Sequence, residues 1–582
     1  MSARRNVAAA ASALVLGWAA SEANAQSTPR SVAGLPPAVT AGRGAAVSFA
    51  EHEAEAGIAD GRIIGPDRAF GSLAAEAAGR RAVQLTTPGQ SVAFIIDAPA
   101  NALTVRYSTP DAQDCRSGDT HLGLFVDGRR IGRLPLTPCY SWFYGRYPFT
   151  NRPADGGGHH VYDHVRMLLP EALPAGASVG LVFEAGTPAD WIVVDLADFE
   201  WVEEPAPAPL DALSVTAFGA DPTGAVDARD AFQRAIAEGR ASRRPVWIPP
   251  GEYRIDGHVR VDDVTLVGAG PWRSVLRGHG VGVYGRKAAE GGSRNVVLSD
   301  FAIIGEVMDR DDRAQLNGIG GAFNQSRLSN LFIQHTKVGV WLDGPMDDVT
   351  ISGLRILDQA ADGLNFHGGV TNAVVEDTFV RNTGDDGLAM WSHPSENHNN
   401  VFRRNTVIAP VLANGIAIYG GRDITVSDNL IADTLTQGGG LHLGARFDAT
   451  PFRGDIVLSG NTVVRGGSMD PNWRFGIGAV WLYALDRPIE GVRIRLRDNH
   501  VIDSTDAAVQ VIGETIRGVE VDGLRVQGAG AGVFQIRAPG EAVAAGVVAD
   551  GLGGPAVEDR QPEFRLRDGG GNLGWTVPAG DD

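Results

Sequence analysis

Cysteine is nearly absent from this chain of 582 residues: only Cys115 and Cys139 occur, both in the first third. Two thiols rule out a cysteine-built metal cluster. In an oxidising compartment they would close one disulfide loop, stabilising the fold by roughly 3 kcal/mol on the chain-entropy account; the alternative is a pair of buried thiols. Lysine is equally scarce, Lys287 and Lys337 being the only two. Positive charge is in deficit overall, with 51 Lys and Arg against 69 Asp and Glu and a net charge of −18. Such a chain is a poor partner for polyanions, which tilts against nucleic acid, pectate and alginate unless a local basic cleft intervenes. Long apolar runs are missing too. The opening has a basic Arg4-Arg5 start, a short apolar run from Val7 to Ala20, and Ala23-Asn24-Ala25 as a cleavage site. That run is too short to cross a bilayer and reads as a signal peptide over residues 1–25, the arginine pair also permitting twin-arginine export. Its loss removes two Arg and one Glu, taking −18 to −19. No later stretch holds 18 uninterrupted apolar residues, so the expectation is a soluble protein, secreted or periplasmic, with no membrane partner and acting as a monomer.

Glycine is abundant, at 76 residues without a collagen period, which suggests many short strands and tight turns. Residues 26–44 read as a Pro/Ala/Gly linker. Residues 45–203 carry short alternating runs ("QSVAFIIDA", "ALTVRYS", "SVGLVFEAG", "DWIVVDLADFEWV") punctuated by Gly, Pro and Asp, which predicts a β-sandwich or jelly roll. A second Pro/Ala linker spans 204–212. The domain from 213 to 582 opens with "AVDARDAFQRAIAEG", whose Ala225, Ala228, Phe232, Ala235 and Ile236 have helical spacing. A helix there would cover the open edge of the strand array that follows.

That array repeats. Units of strand, turn residue and second strand ("DVTISGLRIL", "NAVVEDTFV", "NVFRRNTVI", "DITVSDNLI") alternate with units of a small residue and an apolar alternation ("DGLNFHG", "DGLAMWS", "NGIAIYG", "GGLHLGA"). The glycines of the second unit fall at 318, 339, 363, 387, 415 and 440, spaced by 21, 24, 24, 28 and 25. This period, with period-2 β-branched runs, predicts an all-β fold: a right-handed parallel β-helix of the pectate-lyase type behind the sandwich. The insert "RGGSMDPNWRFGIG" (465–478) would bulge from one face and shape a cleft.

Within the array, "DGLNFHG" contains Asp362 and "NTGDDGLAMWS" contains Asp385 and Asp386, about one coil apart. An Asp-Gly pair alone is an ordinary turn. Residues one coil apart, however, stack at about 4.8 Å, so Asp386 lies over Asp362 with Asp385 beside it. Three crowded carboxyls cannot all ionise freely, and one becomes a proton donor beside ionised bases. Glycosidic hydrolysis needs that pairing of acid and base. Gly384 and Gly387 are expected to turn the backbone tightly so that neighbouring acids face one cleft. His367, Trp391, His393 and Tyr419 lie on the same or the next coil, and His442 and Trp481 further along; each is a candidate for sugar contact or for packing.

The segments "DGLNFHGGVTN", "NTGDDGLAMWS", "LANGIAIYGG", "GGGLHLGARF" and "DPNWRFGIGAVWLYA" resemble the catalytic β-helix of family 87 glycoside hydrolases, the α-1,3-glucanases and mycodextranases, from about residue 213 to 535. The resemblance implies inverting hydrolysis of a neutral α-glucan without a catalytic cofactor, with Asp385 as general acid and Asp362 and Asp386 activating water. The first domain resembles carbohydrate-binding modules of the family 35 and family 6 type through "EHEAEA" and "DLADFEWV". That likeness implies a structural calcium held by Glu53, Glu55 and Asp198, the alternative being plain acids on an edge strand. The stretch "CYSWFYGRYPFTN" suits either a sugar-binding surface or a contact with the β-helix. Two rival functions are weaker. A polygalacturonase-like hydrolase would carry "GHG" and "RIK" beyond its "GDD", but no "RIK" exists and the coil after "GDD" reads "NGIAIYGG"; a lyase on acidic polysaccharide would place a basic residue inside the aspartate motifs, and none is there. A glycan-binding adhesin has no need of the acid trio.

Overall fold

The computed structural model describes residues 35–577 apart from 113–119, 147–148, 150–151 and 472–473. Two antiparallel sheets of six and five strands face each other to form the first domain. Their inner faces supply its core, with Val83, Phe94, Leu103, Leu124, Val179 and Val194 buried. The rest of the chain is a parallel β-helix, in which each coil gives two strands to a 24-stranded sheet and one to a 12-stranded sheet. One coil consists of Val374–Glu376, Phe379–Thr383 and Leu388–Trp391; the next of Val401–Arg403, Thr406–Ile408 and Ile416–Tyr419.

The residue between the first two strands of a coil is left-handed. Asp300, Asn330, Asp377, Arg404, Asp428 and Asp498 all have φ between 47° and 64°. This corner explains the repeated turn residue in the sequence, since Asn, Asp and Gly tolerate that conformation best. Just past the corner an asparagine ladder climbs the helix interior. Asn405, Asn429, Asn461 and Asn499 each accept, through the side-chain oxygen, from the backbone N–H one coil before, at 2.8–3.0 Å. Their amides donate back to buried carbonyls such as Val375 O and Val426 O.

The cap helix runs over Arg229–Ser242, buried through Ala231, Phe232, Ala235, Ile236 and Gly239. It starts later than the apolar spacing suggested: Ala225 and Val226 lie in a turn whose amides are taken by the Asp221 carboxylate. The expected linker of residues 26–44 is described from Leu35 onward and does not hang free. Leu35 is buried against the β-helix, Gly44 N–H donates to Asp428 O, and Ala45 N–H donates to Thr406 Oγ1.

The two domains are riveted along strand Ile192–Glu200, every residue of which is buried. Arg381, fully enclosed, bonds the Glu51 carboxylate and reaches Asp198 Oδ2 at 3.1 Å; Arg355 reaches the same oxygen at 2.6 Å and Glu200 Oε1 at 3.0 Å. Beside them, His164 and Asn382 bond Asp358, and His335 bonds Asp163. The described part of "CYSWFYGRYPFTN" belongs to this seam: Tyr140 stacks on His335 with ring centroids 3.6 Å apart, and Phe143 packs with Val411.

Replacing Asn461 by Ala removes the acceptor of Asn429 N–H and of the Asn429 side-chain amide, and a donor to Val426 O. Each unsatisfied buried group costs about 1–3 kcal/mol, so chemical denaturation of the Asn461→Ala variant should show a loss of about 2–4 kcal/mol. A loss below about 0.5 kcal/mol would show that the ladder is dispensable.

Candidate active site

The 12-stranded sheet fixes the site. Leu364 pairs in parallel register with Leu388, Leu388 with Ile416, and Ile416 with Leu441. Two residues before each of these stand Asp362, Asp386, Asn414 and Gly439, one above another. Gly363 N–H donates to Asp386 O at 3.0 Å and Gly387 N–H to Asn414 O at 2.9 Å, which locks the register. Asp385 precedes Asp386 at the same turn. One side-chain oxygen from each of Asp362, Asp385 and Asp386 lies within 4.8 Å of the others.

Gly384 and Gly387 serve the site differently from the expectation. Neither is left-handed. A Cβ on Gly387 would stand 2.3 Å from Val407 Cγ1, and one on Gly384 would stand 2.4 Å from Ala360 O. The missing side chains let successive coils close up beneath the acids.

The trio borders a cavity of about 690 Å³. Of the residues expected to touch substrate, His367, Trp391 and Tyr419 line it. His393 stacks on Trp391 at 5.0 Å and lies beside the rim. His442 and Trp481 are each 1% exposed and form the packed wall behind, where His442 Nδ1–H donates to Trp481 O. Their register carries them to the outer face of the sheet, but the neighbouring Tyr419 and Tyr483 rings cover them. Burial, aided by Arg446, keeps His442 neutral. Among the described residues, the insert 465–478 contributes nothing to this cavity. Arg310, Lys337, Trp341, Asn365, Asn414 and Phe447 do, and sequence reasoning missed them. The signal for Arg310 was present: "GEVMDRDDRAQLN" interrupts the strand repeat two coils before the trio. A second hollow, of about 330 Å³, lies at the domain seam beside Trp201 and Trp272 and holds no clustered acids of this kind.

Each carboxyl of the trio has a distinct surrounding. Asp386 accepts at Oδ1 from the backbone and side-chain nitrogens of Asn414 (2.9 and 2.8 Å) and at Oδ2 from Tyr419 O–H (2.8 Å). Burial, with Asp385 adding to it, still pushes Asp386 up to about 7. Asp362 accepts only from Asn365 Nδ2, at 3.1 Å, and burial followed by its two acidic neighbours raises it well above the usual carboxylate range. Asp385 accepts from Asp386 N–H at Oδ1 (3.0 Å) and forms an ion pair through Oδ2 with Arg310 Nη1 (2.8 Å). A cation would compete with Arg310 for this space, so the cluster does not read as a metal centre. Asn317 Oδ1, Asn365 Oδ1 and His367 Nε2 border the same cavity, buried and without a protein partner.

One expected calcium ligand also serves the domain seam. Asp198 opposes Glu51 in the strand register; its Oδ2 is taken by Arg355 and Arg381, while its Oδ1 is buried without a protein partner. It is therefore an interdomain anchor. Glu53 keeps both carboxylate oxygens buried and unpartnered, as Glu55 and the neighbouring Asp195 each keep one. A second converging group, Asp163, His335 and Asp358, lies at the domain seam and spends its polar atoms on Tyr107, His164, Gln334 and Asn382. No free cysteine occurs among the described residues; Cys115 lies outside them, so the expected pairing with Cys139 is not visible here. Among the described residues no helix is long and apolar enough to cross a membrane.

Comparison with known proteins agrees with this architecture. A model described as the α-1,3-glucanase catalytic domain D1 matches residues 46–202, and the corresponding domain D2 matches residues 225–505. The catalytic unit of a thermostable family 87 α-1,3-glucanase from Streptomyces thermodiastaticus strain HF3-3 is 40% identical, with a TM-score of 0.83 over 92% of this chain and 98% of that one. The Agl-KA catalytic domain shares the fold at 23% identity and a TM-score of 0.83, over 91% of this chain and 99% of that one. So does a family 87 α-1,3-glucanase catalytic domain solved with nigerose, at 23% identity and a TM-score of 0.79, over 91% and 100%. A pre-neck appendage protein of Bacillus phage B103 is 29% identical over 191 residues; the match spans 30% of this chain and about a fifth (21%) of that protein's length.

Replacing Asp362 by Asn should stabilise the protein at alkaline pH. Unfolded, Asp362 titrates near 3.9; folded, it keeps its proton to higher pH. The folded state loses stability as pH rises from the first value through the second, and an amide escapes that cost. The gain at pH 8 should be of the order of 1 kcal/mol or more, about 1–2 °C in a chain of this length, and should shrink toward pH 4. A variant no more stable than the wild type at pH 8 would contradict the assignment.

Proposed function

The chain belongs to glycoside hydrolase family 87, and from that premise we propose that it hydrolyses α-1,3-glucosidic linkages in a neutral α-glucan through Asp362, Asp385 and Asp386. Asp385 gives a proton to the glycosidic oxygen as the bond from C1 to that oxygen breaks. A water oxygen bonds C1 from the opposite side, and its proton passes to Asp362, with Asp386 helping to orient it. The observation that carries this reading is the convergence of three carboxyls, two of them raised, in one cavity. The surroundings suit a sugar. Trp341, His367 and Trp391 succeed one another at centroid separations of 5.4 and 4.7 Å, giving ring faces for C–H stacking. The unpartnered atoms of Asn317, Asn365 and His367 await hydroxyl groups.

Inversion belongs to this proposal. A retaining course is a second reading, favoured by one observation: the trio's oxygens lie within 4.8 Å, nearer to the roughly 5–5.5 Å of retaining pairs than to the 6.5–9.5 Å of inverting ones. Against it, Asp386 accepts at both oxygens, from Asn414 and from Tyr419, and has none free to attack C1. Export by the leader and a Cys115–Cys139 disulfide complete the picture of an enzyme acting on glucan outside the cytoplasm.

Reducing ends released from α-1,3-glucan test the assignment. The wild type should release them, and Asp385→Asn should be slower by at least about 10²-fold. Equal rates, or no release by the wild type while the protein still binds glucan, would refute it.

We also propose a structural calcium at Glu53, Glu55 and Asp198, with Asp195 beside them. Their buried oxygens without partners fit an oxygen-seeking cation. Chelation should lower the melting temperature, calcium should restore it, and Glu53→Gln should abolish the response. A melting temperature indifferent to chelator would exclude the ion.

A further inference from the structure

A proton donor needs an O–H aimed at the leaving oxygen, and in the free enzyme both oxygens of Asp385 face a nitrogen. Its Oδ1 faces the Asp386 N–H at 3.0 Å and its Oδ2 faces Arg310 Nη1 at 2.8 Å. The guanidinium that holds it comes from residues 305–316, between strands Val297–Ile304 and Ile319–Gly321. Arg310 is held in turn: its Nε donates to Asp312 Oδ1 at 2.8 Å. The segment is pinned from below by Lys337, whose ammonium donates to the carbonyls of Asp312, at 3.2 Å, and Ala314. Lys337 stands three residues before Val340, as Asp385 stands three before Leu388, so it occupies the Asp385 position two coils earlier. One of the chain's two lysines thus supports an arginine that reaches up to Asp385.

We propose that Arg310 is a substrate-released latch on Asp385: it pairs with Asp385 Oδ2 in the free enzyme, and a glucosyl unit entering the cavity displaces it so that Asp385 takes the proton held on Asp362. This rests on Asp385 being the acid of the proposed hydrolysis. The protons then balance over one turnover. At rest Asp362 is protonated and Asp385 is paired with Arg310. Arg310 leaves, and the proton crosses from Asp362 to Asp385, whose nearest oxygens lie within 4.8 Å. Asp385 spends it on the glycosidic oxygen, Asp362 recovers one from the attacking water, and the product's departure lets Arg310 return. The charged and titratable groups facing the pair are Asp312 from the 305–316 segment, which forms a strap, Lys337 beneath it, Asp362 and Asp386 from the turns, and Tyr419 and Arg446 from the following coils. Against the cost of burial, Asp385, Asp312 and Asp362 hold Arg310 charged.

The pH profiles of Arg310→Met, Arg310→Lys and Lys337→Met on an α-1,3-glucan oligosaccharide test the latch. An opposite charge at this range lowers a carboxyl by about 1–3 units, so Arg310→Met should move the alkaline limb of kcat/KM upward by about one unit or more. The limb of kcat should stay in place, because the latch is already open in the complex. Arg310→Lys should keep the wild-type limb, and Lys337→Met, which only loosens the strap, should shift it the same way by less. An unmoved or lowered limb in Arg310→Met, or a limb in Arg310→Lys equal to that of Arg310→Met, would overturn the proposal. Asp385→Asn separates the two failures: if it is inert while Arg310→Met leaves the limb unmoved, only the latch falls; if it is active, the hydrolytic assignment falls with it.

Discussion

Gly363 N–H donates to Asp386 O, and Gly387 N–H donates to Asn414 O. These bonds belong to the parallel register that runs through all twelve strands of one sheet, and the site depends on them. A coil of 24 residues returns the chain to the same place one strand spacing higher, so an acid repeated at that interval meets itself. Asp362 and Asp386 are such a repeat. The extra acid, Asp385, sits where the two neighbouring coils carry Ala361 and Ala413. A one-residue slip in this register would turn the aromatic face inward and scatter the carboxyls.

Holding three acids together is costly, and the rest of the β-helix sustains it. The asparagine ladder satisfies corner amides from Thr378 to Asn461. A continuous apolar column fills the interior from the cap helix to Trp575. The first domain contributes through the seam, where Arg355 and Arg381 pair with acids of strand Ile192–Glu200 and strand Phe49–Glu53. It also touches the strap: His335, stacked on Tyr140, receives the Val307 N–H at its carbonyl. The sandwich is therefore part of the scaffold that positions the loops around the acid trio.

Much of this was legible in the sequence because a β-helix writes its geometry as a period. The glycines from Gly318 to Gly440 gave coil length, and the acids' offset gave their stacking. Trp391 and Tyr419 followed from the same alternation. What stayed hidden depends on features with no period. Arg310 reaches Asp385 from an irregular insertion, and its aim depends on Asp312 and Lys337. His442 and Trp481 share the outward register of the site residues but are covered by Tyr419, Tyr483 and Arg446, which alternation alone does not reveal. Asp198 gave no sign of anchoring the domains because its two arginine partners lie 157 and 183 residues away. Gly384 and Gly387 were read as turn-formers, whereas the neighbouring coil demands their small size.

The account's central claim is that stacking makes the three acids share protons. Carboxyl infrared spectroscopy of the free enzyme at neutral pH, as a difference between the wild type and Asp362→Asn, tests it most directly. The account predicts a protonated-carboxyl C=O band in the wild type that Asp362→Asn removes. Three ionised carboxylates, with no such band to lose, would contradict it.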